Sequence, residues 1–210
     1  MGDKQMTVTV AAWRSLMRRL GGLLSTDKDK PTTLNCVRFE GTLDGIIATA
    51  ATRYVIASIR LPGGHHSLCA PMMLAGETIT EMKAALVGYK ASATMDIGLS
   101  SHSITLALPD GKVATWGVAA ETVSPDMYTR LLPSADSFRE RETCPVPALS
   151  TEALTAISRL MDDDGMRFLG SEDSSDAVVV GPNIVIRCLA SRSEKIAPDA
   201  CESALKRLGR

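Results

Sequence analysis

Between residues 34 and 61 the chain reads LNCVRFEGTLDGIIATAATRYVIASIRL, and apolar and polar positions alternate there in three short consecutive runs. In Leu34 to Glu40, Leu34, Cys36 and Arg38 fall on one face and Asn35, Val37 and Phe39 on the other, the period of a strand. Gly41 and the pair Asp44-Gly45 follow. Glycine tolerates positive φ and aspartate bonds its own backbone, so Ile46 to Ala50 is expected to fold back as a hairpin partner. Arg53 to Arg60, β-branched at Val55, Ile56 and Ile59, is the third strand.

The segments on either side repeat this plan. MTVTV at residues 6 to 10 is a short strand, and Ala11 to Leu24 places Trp13, Leu16, Met17 and Leu20 at helical spacing. Arg14, Ser15, Arg18 and Arg19 then fall on the other side as a compact cationic face. After Pro62-Gly63-Gly64 come a strand at Ser67 to Met72 and a helix from Glu77 to Tyr89 with Ile79, Met82 and Leu86 inward. Three strands follow at Ala91 to Leu99, His102 to Leu108 and Lys112 to Val118. Strand, helix and three strands thus occur twice, at a period of roughly 65 residues.

Residues 1–140 are therefore expected to form one complete domain of two repeats, about 6–62 and 67–120, followed by a linker whose Pro and alternating charge mark a boundary near 140. Residues 143–210 begin a shortened copy. It has a strand at Cys144 to Leu149 and a helix capped by Ser150 with Ala153, Leu154, Ile157 and Leu160 buried. Strands at Asp176 to Val180 and Asn183 to Ala190 and a terminal helix at Pro198 to Leu208 complete it. The expected class is α+β, with helices on one face of antiparallel sheets.

Composition narrows the function more than the fold. The 210 residues are 45% apolar and only 4% aromatic, which implies a core of Val, Ile, Leu, Met and Ala. A net charge of -1 argues against coating nucleic acid by bulk charge and leaves room for a local basic face. Five cysteines, odd in number and without CxxC spacing, suit reduced thiols and a cytoplasmic protein. No leader-like segment and no run of about 18 apolar residues is present, so no membrane role is expected.

Chemistry-bearing clusters are sparse. His65-His66 lacks a third metal ligand at fixed local spacing, and Asp162-Asp163-Asp164-Gly165 lacks the alternating ligands and distal Glu of an EF-hand. Ser100-Ser101-His102-Ser103 has neither a nucleophile elbow nor an orienting carboxylate. Without a Walker motif or GxGxxG, neither an enzyme site nor a cofactor is expected, and no metal is assigned.

Four pieces of the sequence resemble the bacterial DNA polymerase III sliding clamp (beta subunit) family, whose domains are each two copies of strand, helix and strands. LNCVRFE followed by DGIIATAATRYVIA is similar to the family run LxGVxxE…DGxLxxxATDxxRLA; PDMYTRLLP resembles FPDYxxxxP; VPALSTEALTAISRL resembles the start of a new clamp domain. Their order and spacing match over roughly residues 6 to 160. Ala50-Ala51-Thr52 replaces the ATD core, and Arg53-Tyr54 after it resembles the ATDRY form of actinobacterial and phage clamp-like proteins.

The resemblance implies a processivity fold whose helices face duplex DNA without reading sequence. Arg14, Arg18 and Arg19, joined by Lys83, Lys90 and Arg159, would be the DNA-binding residues. The family's pocket for polymerase and clamp-loader peptides, carried over position by position, points to Thr52, Arg53, Tyr54, Val55 and Ile56 with Pro133. Family chains have three domains in a two-chain ring. A homo-oligomer is implied here, a trimer of two-domain chains giving six domains. The expected function is that of a non-enzymatic DNA sliding clamp-like processivity factor tethering a polymerase or other partner to duplex DNA. The alternative is a degenerate clamp, a protein-binding adaptor that no longer encircles DNA.

Overall fold

The structure is a computed structural model, and it describes residues 5–25, 32–63, 69–100, 102–118, 128, 131, 149–161, 165–170 and 175–189. The described elements run β1 (Met6–Thr9), α1 (Val10–Gly21), β2 (Cys36–Thr42), β3 (Gly45–Ala51), β4 (Val55–Pro62), β5 (Cys69–Ala75), α2 (Gly76–Ala85), β6 (Thr94–Leu99), β7 (Ser103–Ala107), β8 (Val113–Gly117), α3 (Thr151–Leu160), β9 (Arg167–Leu169), β10 (Asp176–Gly181) and β11 (Ile184–Leu189). It is an α+β protein with antiparallel sheets, as the periodicity implies.

The two repeats exchange their first strands. β1 pairs with β6 of the second repeat in a four-stranded sheet β1-β6-β7-β8, and β5 pairs with β2 of the first in a seven-stranded sheet β5-β2-β3-β4-β11-β10-β9. Each repeat thus leaves its own sheet incomplete and closes the other's, so neither half can bury its apolar face alone. β4 is not an edge: β11 pairs with it from Ile184 opposite Ile59 to Cys188 opposite Val55, which ties the third copy to the first repeat.

One core lies between the sheets and the helices. Trp13, Leu16, Met17 and Leu20 of α1 and Ile79, Met82 and Leu86 of the second helical segment are all buried in it, with Val37 and Phe39 beneath. Trp13 stacks on Phe39 with ring centroids 6.0 Å apart, a pairing that contributes about 0.5–1.5 kcal/mol beyond the area it buries. Met95, Ile97, Ile104 and Leu106 of the four-stranded sheet and Ile157, Leu160, Val179 and Ile186 of the third copy join the same cluster.

Several sequence expectations shift. Leu34 and Asn35 belong to a 3-10 turn, Thr32–Asn35, and β2 begins at Cys36. β5 ends later than the expected Met72, at Ala75, because the run continues to the helix at Gly76 without a loop. β4 begins at Val55, since Arg53 and Tyr54 are taken into the turn before it. Leu154, expected inside, is 50% exposed, while Ala156 takes its place among the buried residues of α3. Residues 144 to 148 of the expected strand, the boundary near 140, His65, His66, Asp162 to Asp164 and the helix at 198 to 208 fall outside the described residues, and Leu149 is not in a strand.

Candidate nucleic-acid face and peptide groove

α1 is VAAWRSLMRRLG, with no carboxylate, and Thr9 caps its start by accepting from Ala12 N at 3.2 Å. Its arginines do different work. Arg14 Nη2 donates to Leu86 O, the C-cap carbonyl of α2, and at 3.1 Å to Tyr89 O in the turn after it. Arg19, expected on the polar face, is instead buried: the sheet-side packing that fixes Leu16 and Leu20 also turns Arg19 under α3, where its Nε donates 2.8 Å to Leu160 O. Arg18 is exposed.

Two further candidate cations converge on the C-terminus of α1. Arg159 of α3, exposed, donates from Nη1 to Gly22 O at 3.3 Å. Lys83 of α2 lays its ammonium over Gly21, in the space that a Cβ there would fill. The last carbonyls of a helix lack intrahelical donors and carry the negative end of its dipole, so these cations stabilise the ends they meet. Arg14, Arg19 and Arg159 each serve a helix other than their own. Lys90 is exposed. Of the six candidate cations, Arg14, Arg19, Lys83 and Arg159 thus lie against helix ends, and Arg18 and Lys90 are exposed.

The residues carried over for a peptide pocket are divided by the sheet. Thr52 closes the turn between β3 and β4: its N donates to Val55 O at 2.7 Å and its Oγ1 accepts from Tyr54 N and Val55 N at 3.1 and 3.0 Å. Arg53 and Tyr54 at the tip are exposed, and Tyr54 O accepts from Leu189 N at 2.8 Å, the last pairing of β11. Val55 faces the main core. Alternation sends Ile56 to the opposite face, where it packs with Cys36, Ala51, Met73 and Tyr128. Pro133 lies outside the described residues.

Thr52, Arg53 and Tyr54 open onto a groove of about 410 Å3 between the end of α1 and the start of α3, floored by Leu23 and Leu34 and walled by Glu152, Thr155 and Arg159. The groove thus joins one cation of the helical layer to the turn. On the other face, two residues of the linker are tied down. Tyr128 is buried, its hydroxyl donating to Cys36 O at 3.5 Å, and Arg187 Nη1 donates to Leu131 O at 2.8 Å. Arg187 is itself held by the buried carboxylate of Asp176 at 2.5 Å. Tyr128 and Arg187 were not singled out from sequence; the signal for Tyr128 was the tyrosine of PDMYTRLLP, from which only the proline was carried over.

Burial pushes the Tyr128 hydroxyl well above the usual tyrosine range, and burial, with the Asp176 charge behind it, pushes the Cys188 thiol up to about 12. Cys36 is also raised by burial. Both thiols are therefore protonated and unreactive at neutral pH. Among the described residues no group of three His, Cys, Asp or Glu could hold a metal ion, and no helix is long and apolar enough to cross a membrane.

No protein-family model and no curated protein matches the sequence. Solved structures do match the fold. The DNA polymerase sliding clamp of Bacillus subtilis superposes with a TM-score of 0.69 at 12% identity, over 91% of this chain and 65% of that one. The DNA polymerase III beta subunit of Thermotoga maritima gives 0.66 at 11% identity, over 94% and 66%. Caulobacter crescentus pol III beta gives 0.67 at 14%, over 90% and 66%. The chain has the sliding-clamp fold and spans about two thirds of the length of these clamps. At such identities the likeness is one of fold.

Proposed function

We propose that this chain is a clamp-like processivity factor that lies on duplex DNA through its helical layer and holds a polymerase or another partner by a short peptide. The observation that carries the reading is α1, three arginines and no carboxylate in the helix layer of a clamp fold. DNA would be met through phosphates and without sequence preference, by Arg18 and Lys90 directly and by the field of Arg14, Lys83 and Arg159 behind them. The partner peptide would engage the β3–β4 turn, with Arg53 and Tyr54 as contacts and Thr52 holding their geometry. Ile56 and Pro133 belong to the linker side of the same proposal. Residues 1–140 and 143–210 act as two units in a homo-oligomer, joined within the chain by β4 and β11.

A second reading is supported by the clasps. Arg14, Arg19 and Arg159 already serve helix ends, and a chain whose basic residues are mainly structural would act as an adaptor that binds proteins and leaves DNA alone. Binding to duplexes of two unrelated sequences across a salt series separates the two. The processivity reading requires equal affinities that fall steeply with salt; the adaptor reading requires neither.

A further inference from the structure

Counted from their N-caps, Thr9, Ala75 and Ser150, the three described helices carry apolar residues at the same places. The fourth residue on is Trp13, Ile79 or Leu154, the seventh Leu16, Met82 or Ile157, and the eleventh Leu20, Leu86 or Met161. In α1 and α2 all of these are buried. In α3 only Ile157 is: Leu154 is 50% exposed and Met161 42%. The strands below repeat the contrast. Phe39 of β2 lies opposite Ala48 and is buried, whereas Phe168 of β9 lies opposite Val179 and is 40% exposed. Ala48 and Val179 both enter the main core, so the two phenylalanines hold corresponding places on its side of the sheet.

The first repeat closes these positions against the second. Met72 of β5 lies opposite Phe39 on its other side, α2 contacts β2, and α1 lies against α2. The closure is mutual, since the first repeat gives β1 to β6 in return. The third copy meets the first repeat through β11 and β4 and through α3 and α1. Among the described residues no strand pairs with the other edge of β9. The flank of α3 around Leu154 also carries no charge. At 100° per residue Met161, Ser158 and Thr151 fall within about 60° of Leu154, while Glu152 and Arg159 lie about 140–160° away, on the groove.

We propose that the third copy is closed by the third copy of a second chain, α3 lying beside its counterpart about a two-fold axis as α1 lies beside α2, with Phe168 of each chain covered. The surface left open is the one that a repeat covers elsewhere in this fold, and a second chain brings the same repeat with the same surface open. A two-fold axis sets like residues against like, so a charged flank would repel its own copy; Leu154, Met161, Ser158 and Thr151 do not. Covering half-exposed Leu, Met and Phe side chains on both chains at once supplies the attraction. The pairing presupposes the homo-oligomer proposed above and gives it one interface.

Sedimentation equilibrium of the full chain tests this. The parent should self-associate at micromolar protein, and Leu154→Asp with Phe168→Asp should raise the dissociation constant at least about tenfold with an unchanged circular dichroism spectrum. Val87→Asp, which alters a more exposed apolar residue just after α2, should associate as the parent does. A second measurement does not depend on the double variant folding: in a mixture of isotope-labelled and unlabelled chains, Leu154→benzoylphenylalanine should photo-cross-link to α3 or β9 of another chain. A parent that stays monomeric overturns the pairing and the homo-oligomer together. Association that the double variant leaves unchanged, equal weakening by Val87→Asp, or cross-links from position 154 confined to one chain or to another repeat overturns the pairing alone.

Discussion

Arg19 of α1 donates its Nε to Leu160 O at 2.8 Å, and the residue before Leu160 returns the gesture, Arg159 reaching Gly22 O at 3.3 Å. Each arginine thus meets the C-terminal carbonyls of the other's helix, across a separation of some 140 positions in the chain. The bond from Arg19 is buried and that from Arg159 exposed, so the two differ in worth. A buried bond from a charged donor contributes about 1.5–3 kcal/mol, and an exposed one less than about 1 kcal/mol. Arg19→Ala should lower Tm by about 4–8 °C and Arg159→Ala by about 3 °C or less, measured by calorimetry. Equal and negligible losses would remove the clasp from the account of stability.

The same division governs DNA binding. Arg18→Glu with Lys90→Glu reverses exposed charge and leaves in place the bonds that Arg14, Arg19 and Arg159 make to helix ends. This double variant should bind duplex DNA at least about tenfold more weakly at 50 mM salt, with a shallower salt slope. Unchanged affinity would take both residues out of the interface.

At the turn, Tyr54→Ala and Thr52→Val probe contact and geometry separately. Tyr54 is exposed and its loss should leave stability within about 0.5 kcal/mol of the parent while weakening a clamp-binding peptide, titrated by anisotropy, at least about fivefold. Thr52→Val removes the hydroxyl that accepts from Tyr54 N and Val55 N, so both stability and peptide affinity should fall. Equal peptide binding by parent and Tyr54→Ala would discard the pocket.

One exposed hairpin should add a small acid-sensitive contribution to stability. Hydrogen bonds from Lys112 and then from the Tyr89 hydroxyl hold the Asp110 carboxyl down to about 2. A carboxylate depressed in the folded state stabilises it above the unfolded value near 4, and that stability is lost as pH falls from there through about 2. Tm of Asp110→Asn should therefore change less between pH 4 and pH 2 than that of the parent. Parallel curves would show that the depressed carboxyl is not linked to folding.

Sequence periodicity reached the elements whose burial is decided locally. Val37 and Phe39, Met95 and Ile97, and Trp13, Leu16, Met17 and Leu20 all lie where alternation or helical spacing puts them, because each repeats against a single continuous core. Turns were legible too: Gly45 sits at φ 139 with Leu61 O where a Cβ would be, so no other residue fits. What periodicity could not reach was decided between distant segments. The exchange of β1 and β5 between repeats and the joining of β11 to β4 depend on pairing across many residues. Arg19 carries a polar label in any pattern, yet a carbonyl at Leu160 makes its burial favourable. Leu154 carries an apolar label, yet it faces a side of α3 with no described neighbour helix.

The central claim is an oligomer that associates with duplex DNA through charge, and two-colour sedimentation of the protein with a labelled duplex tests it most directly. At micromolar protein the chain should sediment well above its 22.3 kDa monomer mass and carry the duplex with it, the carried fraction falling as salt rises from 50 to 200 mM. A 22.3 kDa monomer with the duplex sedimenting alone at every salt concentration would contradict it.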